Sequence, residues 1–269
     1  MPIVAENYSK LVLTVLSMLS SWGALAAQSA NVVAYPVTSS YTGFFSTLPA
    51  SLNLKHGHAE VQLGGYWGIQ GSAQHVKIED LIGDEFTVSN KNSGNGLVGF
   101  GYFLDGQNKT NFKISYGVNF FYLPKTGVSG TVIQEDRYTN LAYGYNVTHY
   151  PVYALAKTNI DLNSSRYGLV VDAGIGPNFM NIGGFQERSL DGGHTNPDHI
   201  FSGRTTTTFS ATAEIGMKLN HVFGQAPLEC GYRFFYLGQG NFSVLTNQVI
   251  TTLNTGAAYA NAIMCSIAI

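Results

Sequence analysis

The segment Asp191-Gly192-Gly193-His194-Thr195-Asn196-Pro197-Asp198-His199 brings two imidazoles and two carboxylates close together in the chain. Both are good ligands for divalent transition metals. Their spacing matches no strong metal motif, and the Gly, Asn and Pro between them suit a solvated loop, so no metal and no cofactor is expected here. His56 and His58 flank Gly57 just before an alternating segment and read as polar rim residues. His75, His149 and His221 fall in segments read as loops or turns, with no Ser or Asp recognisably paired to them. A nucleophilic triad is assembled in space and not by spacing. No catalytic residue is assigned on this basis, and the chain is not expected to be an enzyme. Cys230 and Cys265 both lie on the apolar parity of alternating segments. They read as free thiols facing an apolar environment, with a cross-strand disulfide as the alternative in an oxidising compartment.

The charged residues carry a different kind of chemistry. They make up only 11% of the 269 residues, well below the roughly 25% of an ordinary soluble domain. Several occupy the polar parity of alternating segments: the acids Glu60, Asp172, Glu214 and Glu229, and the bases Lys113, Arg166, Lys218 and Arg233. Buried charge is costly unless paired. Four acids against four bases is therefore the balance an ion-paired interior requires.

The elements that would position such an interior are strands. In 204–219, Phe209, Ala211, Ala213, Ile215, Met217 and Leu219 share one parity, and Thr208, Ser210, Thr212, Glu214, Gly216 and Lys218 the other. Successive strand side chains point to opposite faces, so one face is apolar and one polar. The same alternation recurs in 59–69, 112–122, 166–176 and 228–238, and more weakly in 96–104, 150–160 and 257–269. The polar face is mostly Gly, Ser, Thr and Asn with isolated charges, which suits a narrow, crowded lumen better than bulk water. Short gaps (105–110, 161–165, 220–226) alternate with long ones (71–93, 124–148, 178–203, 240–255). Membrane barrels show this asymmetry, with short periplasmic turns on one side and long extracellular loops on the other. The expected fold is all-β: a closed antiparallel up-and-down transmembrane barrel of eight strands over 58–269. Its lumen should be filled by side chains, since eight strands leave room for little else.

The N-terminus carries an address. Lys10, the apolar run Leu11 to Leu19, and the small residues Ala24 and Ala26 describe a secretory signal peptide over 1–26, cut after Ala26. Residues 27–57 read as an irregular N-terminal arm. No later segment has the 18 or so consecutive apolar residues of a membrane helix. With a net charge of −2 and no basic stripe, the chain lacks the phosphate-neutralising surface that nucleic-acid binding needs.

These segments together resemble the small eight-stranded outer-membrane barrels of Gram-negative bacteria, the OmpA/OmpX-like group. The last segment, 257–269, resembles the family's C-terminal assembly signal: Ile263, Cys265, Ile267 and Ile269 alternate up to the final residue, although the family usually ends in an aromatic. The resemblance implies residence in the bacterial outer membrane. It also implies contact with membrane lipid and lipopolysaccharide, and assembly by the barrel-assembly machinery. The expected role is structural or surface-interacting, through the long extracellular loops toward an extracellular or host ligand. The 124–148 loop, with Glu135, Asp136, Arg137, Tyr138 and Tyr143, is the leading contact region. A narrow pore or small apolar-solute conduit is the alternative, and a lipid-modifying enzyme the second.

Overall fold

The computed structural model describes residues 57–109, 112–162, 164, 166–223 and 226–269. The signal segment, its cut after Ala26, His56 and the arm up to residue 56 lie outside the described residues. Twelve strands follow in order: β1 Gly57–Ile69, β2 Gln74–Val76, β3 Asp84–Phe86, β4 Asn92–Lys109, β5 Phe112–Gln134, β6 Tyr138–Asp161, β7 Tyr167–Ser189, β8 Phe201–Ser202, β9 Arg204–Phe223, β10 Ala226–Gly238, β11 Ser243–Val244 and β12 Ala258–Ala268. Eight of them form a closed antiparallel ring, β1-β4-β5-β6-β7-β9-β10-β12, in which β12 returns to β1 through Glu60↔Ala268 to Ile69↔Tyr259.

The outer row of each strand is apolar over the height of a membrane. Leu63, Ile215 and Ile263 are 58%, 56% and 63% exposed, and Val98, Val118 and Ile175 accompany them around the ring. A closed barrel leaves no backbone group unpaired in hydrocarbon, which is the condition for strands to cross a bilayer. Ile215 sits in the middle of its outward row, between Val171 of β7 and Tyr232 of β10. Ile215→Arg should therefore cost about 2–4 kcal/mol of folding stability in lipid, the price of an arginine near the bilayer midplane. A urea titration of the vesicle-refolded variant that matched the wild type would show that this face does not meet lipid.

Three of the strands are far longer than a membrane needs. β5, β6 and β7 have 23, 24 and 23 residues, against about 9–11 for a tilted transmembrane strand. The 124–148 segment is thus not a loop, as the sequence suggested. It is the continuation of the β5–β6 hairpin, and only Glu135–Arg137 make its turn. The reversal there is tight enough to hold Glu135 and Asp136 at φ of 52° and 55°.

The sense of the alternation explains the difference. Below Tyr150 the exterior of β6 is apolar (Val152, Ala154, Ala156); above it the exterior is polar (Thr148, Asn146, Gly144), while the interior row becomes Val147, Tyr145, Tyr143 and Leu141. On β5 a bulge between Leu123 and Thr126 also switches parity, so that Lys125, Gly127 and Ser129 face out where Phe120 and Tyr122 did below. Bulges shift one strand by a residue and so break a period-2 pattern.

Cys230 and Cys265 form a disulfide and are not free thiols. They are direct register partners of β10 and β12 on the outward face, with Cα atoms 4.0 Å apart. In an antiparallel ladder the closely opposed pairs bring their Cβ atoms within disulfide reach. Parity alone placed each cysteine on its strand, but the register that opposes them required the pairing of the two strands.

Candidate functional site: the filled lumen and the extracellular head

One row of β6 runs the whole interior. Lys157, Leu155, Tyr153, Pro151, His149, Val147, Tyr145, Tyr143 and Leu141 alternate along it, and all are buried. Each level is closed by side chains from the other strands.

At the periplasmic end Lys157 lies between two carboxylates, with its Nζ 2.5 Å from Glu60 of β1 and 2.5 Å from Glu229 of β10. The same ammonium stands 4.9 Å from the centre of the Phe103 ring. Lys218 approaches Glu229 at 3.8 Å, and His58 approaches Glu60 at 3.3 Å. Gln62 donates to Glu60, and Asn119 donates to Gln62 at 2.9 Å. One level up, the fully buried Arg233 donates to Asp172 at 2.6 Å and to Glu214. Its guanidinium stacks over Phe121, with the ring centre 5.1 Å away, and lies near Phe235. Above it, Tyr153 and Ser210 share a hydrogen bond of 2.5 Å.

Of the charges singled out in the sequence, the fold brings Glu60, Asp172, Glu214, Lys218, Glu229 and Arg233 together. Lys113 lies at the rim, 40% exposed, and pairs with Asp105 at 2.9 Å. Arg166 is exposed beside a turn and has no ion-pair partner among the described residues. Lys157, the centre of the lower cluster, was missed. The inward row of β6 held the signal: Lys157 shares its parity with Tyr153 and Leu155, and its register partner on β7 is Asp172.

The next layer is uncharged in hydrogen-bond character. Asn178 donates to His149 Nδ1 at 3.0 Å, which leaves His149 Nε2–H to donate to Gln70 at 3.3 Å. Gln70 in turn donates to Thr126 at 2.6 Å. This chain crosses from β7 through β6 to the residue that follows β1 and on to β5. His149 is therefore a buried link inside a strand and not a loop residue.

Above the membrane level the interior turns aromatic. Phe86, Tyr143, Tyr145, Phe201 and Phe242 pack edge-on, tilted or stacked, with ring centres 4.9–6.3 Å apart. The segments between the barrel strands interlock over them. Gln74 donates to the Asn254 carbonyl at 2.7 Å, Gly71 to Thr255 at 2.7 Å, and Leu245 to Ile200 at 2.9 Å. The result is a folded extracellular head on the barrel.

The head's charges are arranged unlike those of the lumen. Residues 74–91, 131–144 and 183–203 carry nine carboxylates against the four bases Lys77, Lys91, Arg137 and Arg188. Among the described residues, none of those nine lies within ion-pair distance of a Lys or Arg, whereas all four lumen carboxylates do. The nearest approach to a pair in the head is His75 to Asp136, at 3.9 Å.

Burial raises Asp84 above the usual carboxylate range, assisted by the negative charges of Glu135 and Asp198. It raises Glu187 for the same reason, assisted by Asp198 and Asp84. A carboxyl raised in the folded state favours folding when protonated, so its charge opposes folding as pH rises through the raised value. Protection of the head amides Thr87 and Asn90 from hydrogen exchange, corrected for intrinsic rates, should increase as pH falls from neutral toward that range. Asp84→Asn should flatten the dependence, and an unchanged slope would show that Asp84 is not its source.

The other histidines are scattered. His194 and His199 stay exposed in the segment after β7, where Asp191 accepts hydrogen bonds from Ser189 and Thr195, and His221 is exposed near the end of β9, inside a strand and not in a turn. Among the described residues no three His, Cys, Asp or Glu side chains converge as metal ligands.

A closed eight-stranded antiparallel barrel with an apolar belt defines a transmembrane β-barrel of the bacterial outer membrane. No protein-family model and no curated protein matches the chain. Among solved structures it is similar to Neisserial surface protein A, with 12% identity, a TM-score of 0.41, and coverage of 78% of this chain and 96% of that one. It is also similar to the outer membrane protein OprG from Pseudomonas aeruginosa, with 12% identity, a TM-score of 0.44, and coverage of 80% and 97%. A third is the outer membrane protease OmpT from Escherichia coli, with 10% identity, a TM-score of 0.40, and coverage of 79% and 94%. At such identities no role passes from these proteins to this chain.

Proposed function

We propose that this barrel is a sealed anchor whose work is done by its extracellular head, as a structural or surface-interaction protein. The observation that carries this reading is the inward row of β6, buried at every position from Lys157 to Leu141 and tied across the lumen by ions, amides or aromatic rings. A solute path would have to break several of these layers together. The β5–β6–β7 wall, by contrast, carries a folded surface well beyond the lipid. Rigid scaffolds commonly place binding on such projecting segments. The lipid partner is then the outer leaflet with its lipopolysaccharide, and assembly runs through the barrel-assembly machinery.

Planar-bilayer recording of the refolded protein tests the reading against a pore. A sealed barrel gives no discrete current steps. Stable, reproducible steps would favour the transport alternative.

A further inference from the structure

The tips of two hairpins meet at the top of the head. The β2–β3 tip lies against the β5–β6 turn, where the Ile82 amide donates to Glu135 Oε2 at 3.1 Å and the Glu135 amide donates to the Gly83 carbonyl at 3.1 Å. His75 Nε2 donates to the Ile82 carbonyl at 2.9 Å and locks the same corner. The joint presents Leu81, Ile82 and Tyr138, which are 57%, 54% and 63% exposed, above the polar wall. Asp80 and Asp136 stand exposed and Glu135 half-buried beside them. Arg137 stands exposed in the same turn, yet among the described residues no Lys or Arg lies within ion-pair distance of any of the three, and the corner keeps three carboxylates against that one guanidinium.

Exposed large apolar groups grouped on a rigid corner are uncommon unless they meet a partner. The surrounding uncompensated charge selects its sign, because interfaces pair opposite potentials. We propose that this corner is a docking surface for a cationic amphipathic segment of an extracellular protein. Basic side chains would meet Asp80, Glu135 and Asp136, and an apolar side chain would cover Leu81, Ile82 and Tyr138. The inference rests on the surface-interaction reading above and names the partner's chemistry. The corner is already fixed by its own hydrogen bonds, so binding forfeits little ordering entropy.

The test uses the full chain refolded in zwitterionic nanodiscs and a fluorescent amphipathic lysine–leucine peptide, with empty nanodiscs as the reference for lipid binding. Saturable binding is expected. Asp80→Asn with Glu135→Gln and Asp136→Asn should weaken it about tenfold, since each rim charge contributes modestly. Leu81→Ser with Ile82→Ser should weaken it by a similar factor, and Leu245→Ser, elsewhere on the head, should leave it unchanged. A glutamate–leucine peptide should not bind. Absence of saturable binding, or wild-type affinity in the charge variant, would overturn the proposal. So would displacement of the peptide by micromolar calcium, which would mark a cation site instead. Current steps in the bilayer with peptide binding intact would remove the sealed-anchor reading and leave the corner standing; a silent barrel that ignores the peptide would do the reverse.

Discussion

Arg233→Met is expected to lower the stability of the refolded barrel by about 3–5 kcal/mol, the range for removing one partner of a buried ion pair. Arg233 is fully buried and holds two carboxylates, Asp172 on β7 and Glu214 on β9. Methionine fills much of the same space between Phe121 and Phe235, so lost packing is a minor part of the cost. The loss comes from leaving Asp172 and Glu214 facing each other as neighbours in register, without a cation. Neutralising them as well, in the triple variant Arg233→Met, Asp172→Asn, Glu214→Gln, should restore most of the stability, because the stranded charges are then gone. Urea titration in vesicles reads both variants. A single variant as stable as the wild type, or a triple variant no better than the single, would contradict the pairing.

Lys157→Met should act on the lower cluster by the same mechanism, at about 3 kcal/mol, toward the small end of that range. Two groups soften it: Lys218 stands 3.8 Å from Glu229, and His58 stands 3.3 Å from Glu60. Adding Glu60→Gln should recover part of the loss. Lys113→Met provides the contrast. Its ammonium pairs with Asp105 at the water-exposed rim, where an ion pair is worth about 0–1 kcal/mol. Equal losses at Lys113 and Lys157 would mean that burial does not distinguish the rim from the lumen.

The membrane part of the fold was legible because one physical rule governs it: lipid outside, side-chain-filled lumen inside, and a period of two along every strand. Ile215, Phe234 and Ile263 outside, with Glu214 and Arg233 inside, follow from that rule alone. The head was not legible, because the rule reverses there. Around Tyr150 the apolar row changes from the outer face to the inner, and the β5 bulge near Pro124 changes parity as well, so residues that continue two strands read as a loop. Lys157 was lost with them, since its segment alternates weakly: Ala154 and Ala156 are small where other strands show large apolar groups. The disulfide depended on cross-strand register, which links residues 35 apart and is not a local property. The unpaired carboxylates of the head were visible as letters, but their contrast with the paired lumen exists only in three dimensions.

The orientation of the barrel carries every functional statement made about the head. Because Cys230 and Cys265 are joined, a single introduced cysteine is the only free thiol among the described residues. Intact cells treated with a membrane-impermeant maleimide should label cysteine at Asp136, on the β5–β6 turn, and at His194, and should leave cysteine at Gln107 and Ser164 unlabelled until the cells are opened. Labelling at Gln107 and Ser164 in intact cells, with Asp136 and His194 protected, would place the head in the periplasm and contradict the account.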